Sequence, residues 1–135
     1  MRYEGYHEDS KLPFRQGQEV VIPAGIEVKS TNPSKRHYTT SRQQTVTINH
    51  FLPGRSVSNH MALGDKHIAR ELTERGFNWE ALLALRESNH ADYYNGRVAL
   101  DNPTVVWAGA GGYWCEVDIN DILEANGIAT AEVTA

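Results

Sequence analysis

The sequence predicts a mainly β fold of the α+β class: a small barrel or rolled antiparallel sheet with an inserted helical pair. Three observations predict it. β-branched and aromatic residues gather in short alternating runs near both ends of the chain. Pro, Gly, Asn and Asp punctuate those runs at turn spacing. Between them the period changes to a helical one with capping residues at its boundaries. The 135 residues suffice for one domain with a core of its own. The expected domain is 1–127, with barrel strands at about 18–52 and 97–119, a helical insertion at about 65–95, and a flexible tail at 128–135. No internal repeat or low-complexity segment interrupts it.

Residues 18–22 read as a strand with Val20 and Ile22 on one face. Pro23-Ala24-Gly25 is turn chemistry, and Ile26 and Val28 then alternate with Glu27 and Lys29. Together these predict a tight hairpin. Asn32-Pro33-Ser34 breaks the pattern and makes 35–38 an exposed loop. Residues 39–52, rich in Thr, Val and Ile, predict one long strand ended by Pro53-Gly54. Val46, Ile48, His50 and Leu52 would share one face, and Thr45, Thr47, Asn49 and Phe51 the other.

Ile68 and Leu72 have helical spacing within 65–75, and Gly76 suits the C-terminal cap. Asn78 suits the N-cap of a second helix, whose stripe is Trp79, Leu82, Leu83 and Arg86, widened by Leu85. That helix should fade near 89–95. Residues 97–100 and 104–108 read as strands around an Asp101-Asn102-Pro103 turn, followed by a Gly-rich hairpin loop at 109–112. In a final strand at 113–119, alternation sends Tyr113, Cys115, Val117 and Ile119 inward and Trp114, Glu116 and Asp118 outward. One helical turn is expected at 120–124.

Two strings carry a family resemblance: GQEVVIPAGIEV at 17–28 and VVWAGAGGYWCEVDINDI at 105–122. They resemble the strand–turn–strand and the closing hairpin with helical turn of Src-homology-3-like barrels. The chain is also similar to small accessory proteins encoded by bacteriophages. The similarity covers about 12–60 and 97–124, and the helices at 65–95 depart from a minimal barrel. These motifs are structural, so no functional residue is carried over. The resemblance implies a protein acting on host machinery, by occluding a nucleic-acid-binding site or sequestering a nucleotide signal.

Charge is segregated along the chain. Residues 28–64 hold Lys29, Lys35, Arg36, Arg42 and Arg55 with no Asp or Glu, a local +5. Residues 1–27 carry three basic against five acidic side chains (−2), and 65–135 carry five against twelve (−7), giving the formal −4. A positive region on a negative body predicts an anionic partner. The candidate anion site is Lys29, Lys35, Arg36, His37, Tyr38, Thr40, Arg42 and Arg55, where cations and hydroxyls together suit phosphate oxygens. Thr40 and Arg42, two apart on a strand, would face the same way. The competing reading is that these charges pair with the protein's own acidic helices.

Three partners fit a binding reading: an acidic protein surface, a phosphate-bearing small ligand, or a nucleic-acid backbone. Five cations beside a −7 block are few for extended duplex contact. The second candidate is aromatic. Trp107, Tyr113 and Trp114 crowd the Gly-rich turn; Trp107 and Tyr113 are expected in the core, and Trp114, with Tyr38, is the candidate interface anchor.

Other constellations are weaker. Gly109-Ala110-Gly111-Gly112 is followed by a strand, not the helix N-terminus that a phosphate-binding glycine loop requires. The six histidines lack metal-ligand spacing, and His50 shares the core face of its strand. Cys115, the only cysteine, is placed inward, where thiols are inert. The second helix is too acidic to read DNA. No catalytic, metal or cofactor residues are therefore assigned. The expectation is a non-enzymatic binding protein using its basic Ser/Thr-rich loop and aromatic rim. The alternatives are a direct nucleic-acid binder and a small enzyme with an unrecognised site. The polar first ten residues, the lone cysteine and the lack of a long apolar run predict a cytoplasmic location without a membrane partner. Self-association is expected, if anywhere, through residues 65–95.

Overall fold

The computed structural model describes residues 2–129. It is a mixed α/β structure in which all strand pairs are antiparallel. The first five strands are β1 (Glu19–Ile22), β2 (Glu27–Ser30), β3 (His37–Thr39), β4 (Gln44–Thr47) and β5 (His50–Leu52). The helical part follows as β6 (Ser56–Ser58), α1 (Asn59–Gly64), α2 (Lys66–Glu74), α3 (Trp79–Glu87), α4 (Ala91–Asn95) and β7 (Arg97–Ala99). The chain then returns through β8 (Thr104–Ala108) and β9 (Trp114–Asp118). Strand order is β3-β2-β9-β8-β5 in the main sheet, with separate β1–β4 and β6–β7 pairs.

The barrel is not closed. Among the described residues no strand pairs with the outer edge of β4. The expected tight hairpin of β1 on β2 is also corrected, because β1 pairs β4 and β2 pairs β3. Both ladders share one register: Glu19 opposite Thr47 and Lys29 opposite His37 each add to 66. Residues 19–30 and 37–47 are thus one long antiparallel ribbon, and its turn is the basic loop at 31–36. Pro23-Ala24-Gly25 is a corner in that ribbon. Gly25 takes φ +81°, which its missing Cβ permits at no steric cost.

Thr40 holds the corner. Its hydroxyl donates to the Pro23 carbonyl (2.8 Å) and accepts from the Ile26 N–H (3.0 Å). Its peptide groups bond Gly25 N–H and Ile26 C=O, each at 2.9 Å. This splits the expected long strand at 39–52. A second break at Ile48-Asn49 separates β4 from β5, where Asn49 N–H donates to the Val106 carbonyl at 2.8 Å. Alternation shifts there, so Phe51 enters the core while His50 is half-buried outside it.

Val20, Ile22, Val28, Val105, Trp107 and Val117 form the main core with Phe14 and the C-terminal Ile119, Ile122 and Leu123. Two asparagines fasten the surrounding chain by imitating a peptide group. Asn120 accepts from Tyr3 N–H (2.7 Å) and donates to Tyr3 C=O (2.8 Å). Asn126 does the same for Val21, at 2.7 and 2.9 Å. The expected turn at 120–124 appears as 3-10 turns at Ile119–Asp121 and Glu124–Asn126. Ile128, assigned to a flexible tail, packs against the core, and residues 130–135 of that tail lie outside the described residues.

The helices surround a second core of Ala62, Leu72, Leu82, Tyr93, Val98 and Leu100. Asp65 and Asn78 cap α2 and α3 through side-chain acceptors. The inward stripe of α3 is Trp79, Leu82 and Leu85, while Leu83 is exposed. The short α1 and α4 and the strand β6 were not anticipated. No helix among the described residues is long and apolar enough to cross a membrane.

Candidate functional site

The turn of the long ribbon, the segment leaving β3 and the β8–β9 loop enclose a cleft of about 480 Å³. The ribbon turn contributes Asn32 and Lys35, and the segment between β3 and β4 contributes Thr40, Ser41 and Arg42. Ser30 of β2, Tyr38 and Thr39 of β3, and Gln44 of β4 join them, with Ala110, Tyr113 and Cys115 on the far wall.

The turn is held open by local bonds. Lys35 N–H donates to Asn32 C=O (3.0 Å), and Ser34 N–H donates to the Asn32 side-chain oxygen (3.0 Å). Asn32 N–H donates in turn to Ser30 Oγ at 3.1 Å. These bonds use the acceptor of Asn32 and leave its NH₂ as a donor, while Ser30 keeps its own O–H.

Tyr38 joins this cleft to the core. Its hydroxyl lies 3.8 Å from the Cys115 thiol, and its ring packs on the main core. Burial first, and then the bond to Cys115, raise the Tyr38 phenol above its ordinary value of 10.0. The phenol is therefore neutral at physiological pH and does not oppose an anion. Lys35 Nζ sits 4.4 Å from the centre of the Tyr38 ring, a cation–π contact that aims the ammonium at the cleft. The cleft has no carboxylate in its lining. Neither Lys35 nor Arg42 is ion-paired among the described residues.

Of the residues nominated from sequence, Lys35, Tyr38, Thr40 and Arg42 meet at the cleft. Thr40 is buried and its hydroxyl is committed to the ribbon corner, so it is a support and not an outward ligand group. Lys29 lies on a separate groove of about 270 Å³ with Trp114, His50, Leu52 and Glu116. His37 is exposed, 3.9 Å from Glu27, and Arg36 is exposed outside the cleft lining. Arg55 is elsewhere. It bonds Asp101 (2.8 Å) and Glu71 (2.9 Å), and the Asp101 bond is the main reason its pKa is raised. Arg55 is thus the one member of the nominated group paired with a helix carboxylate, Glu71 of α2, among the described residues.

Trp107 is buried, as expected, and Trp114 is 42% exposed. Thr31 and Trp114 exchange two bonds at 3.0 Å, and the Trp114 ring meets His50 edge-on at 5.4 Å. Tyr113 corrects its assignment to the core: it is 39% exposed. It precedes the first paired residue of β9, so strand alternation does not reach it. Sequence reasoning missed Tyr113, Asn32 and Gln44 as cleft residues; the last two were visible only as neighbours of the basic loop. No group of three or more His, Cys, Asp or Glu that could hold a metal is present among the described residues. Comparison with family models, with curated proteins and with solved structures finds no match to this chain.

Proposed function

We propose that this chain is a non-enzymatic binding protein that holds a phosphate-bearing ligand in the cleft beside its ribbon turn. The observation carrying this reading is a lining with two cations that have no ion pair among the described residues, several neutral donors and no carboxylate, in a chain of net charge −4. Arg42 offers a planar fork for two phosphate oxygens, and Lys35 offers a point charge supported on the Tyr38 ring. Ser30, Ser41 and Asn32 supply directional donors around them. A free carboxylate in the lining would oppose an anion, and its absence makes the local charge cooperative.

Thermal denaturation of the full chain with inorganic pyrophosphate tests this reading. A saturable rise in Tm is expected, because a ligand that binds only the folded state stabilises it by mass action. Lys35→Ala combined with Arg42→Ala should weaken the apparent affinity by about ten-fold or more, two charge-assisted contacts being lost. Arg36→Ala, outside the lining, should leave affinity close to wild type. Equal losses from both changes would mean that only bulk charge matters, and the cleft would not be the site.

A further inference from the structure

We propose that the ligand of this cleft is a nucleoside phosphate, with its anionic group at Lys35 and Arg42 and its base lying on the Tyr113 ring. The inference rests on the cleft being an anion site and concerns the rest of the ligand. The cleft has two chemically different walls. Cations and donors come from the ribbon, whereas Ala110 and Tyr113 come from the β8–β9 loop.

The two tyrosines are not equivalent. Lys35 occupies a face of Tyr38, whose hydroxyl is turned to Cys115. Tyr113 has neither commitment: its ring makes no aromatic contact and its hydroxyl no hydrogen bond among the described residues. It lies over Gly111, where a Cβ would stand 3.3 Å from two of the ring carbons. The backbone thus supports one side of the ring without an intervening side chain. An aromatic ring held in this way offers a stacking surface that any base can use.

Gln44 completes the pattern. Its amide is unbonded among the described residues and presents both a donor and an acceptor. The cations and Asn32's free NH₂ can only donate, so Gln44 is suited to a base edge and the others to phosphate. Inorganic phosphate would leave the aromatic wall unused, and about 480 Å³ falls in the usual range for a small-molecule site.

Isothermal titration of the full chain should use pyrophosphate, ribose 5-phosphate, AMP, GMP, CMP and UMP, and a short single-stranded oligonucleotide as probes. At least one mononucleotide should bind about ten-fold more tightly than ribose 5-phosphate, the increment expected of one stacked base. Tyr113→Leu should reduce that mononucleotide to the ribose 5-phosphate level. If Tyr113→Leu fails to fold by near-ultraviolet circular dichroism, Gln44→Ala serves instead and should flatten the preference among bases. Ribose 5-phosphate binding as tightly as every mononucleotide would overturn the proposal while leaving the anion site intact. Failure of every probe to bind would remove both. Tight binding of a short single-stranded oligonucleotide without binding of any mononucleotide would overturn it in favour of a polymer.

Discussion

Tyr38 couples the chemistry of the cleft to the stability of the sheet. It supports Lys35 on its ring, packs on the core and meets Cys115 through its hydroxyl. Its phenol is held above the ordinary value by burial and by that bond, so the folded protein favours the protonated form. The associated stability is fully present below about pH 10, the unfolded value, and is lost as pH rises through the higher folded value. Tyr38→Phe should remove this contribution. Urea midpoints taken across pH 8 to 11 are therefore expected to decline less steeply in Tyr38→Phe than in the wild type. Identical declines would show that Tyr38 does not report this burial. Near neutral pH the same substitution should cost little, since one weak thiol contact is lost and the ring is retained.

The long ribbon is the element that creates the site, and its corner depends on one buried hydroxyl. Thr40→Val keeps the branched shape but removes the bonds to Pro23 and Ile26. A loss of about 1–3 kcal/mol is expected, from two backbone groups left without that partner. A lower urea midpoint with an unchanged slope would support this; an unchanged midpoint would mean water replaces the hydroxyl. Thr40 also explains what could be read from sequence. The helices α2 and α3 were legible because the Ile68–Leu72 spacing, Gly76 and Asn78 are local signals. The break at 40–43 was not legible, because no Gly or Pro lies there and the cause is a bond to residues 23–26. Lys35, Tyr38 and Arg42 could be nominated together because they are close in sequence. Tyr113 reaches the same cleft only through β2–β9 pairing, which brings Ser30 opposite Cys115.

At the scale of the whole molecule, two cores are tied together at Arg55. This residue lies between β5 and β6 and reaches both Asp101, before β8, and Glu71 of α2. Glu71 also pairs with Arg75, so the contact is a small network. Its groups are partly exposed, which limits its worth to about 1 kcal/mol. Arg55→Ala should lower stability by about that amount at low salt, and high salt should narrow the difference from wild type. Hydrogen exchange should quicken in α2 before it does in β8 and β9. A loss that salt leaves unchanged would assign the effect to packing of the Arg55 stem. The network also shows one use of the segregated charge in the described structure. Arg55 is consumed internally, whereas Lys35 and Arg42 remain unpaired at the cleft.

The β6–β7 pair has a consequence for how such a chain can change. Ser58 stands directly opposite Arg97, so the chain enters and leaves the helical segment at neighbouring positions. Everything between those two residues is, in architectural terms, a room behind one doorway. Its hydrophobic contacts lie in a separate cluster from those of the main sheet. Helices can therefore be lengthened, exchanged or re-surfaced there without rerouting the ribbon, and a ligand preference set at the ribbon turn can persist while the other end of the molecule acquires a different role.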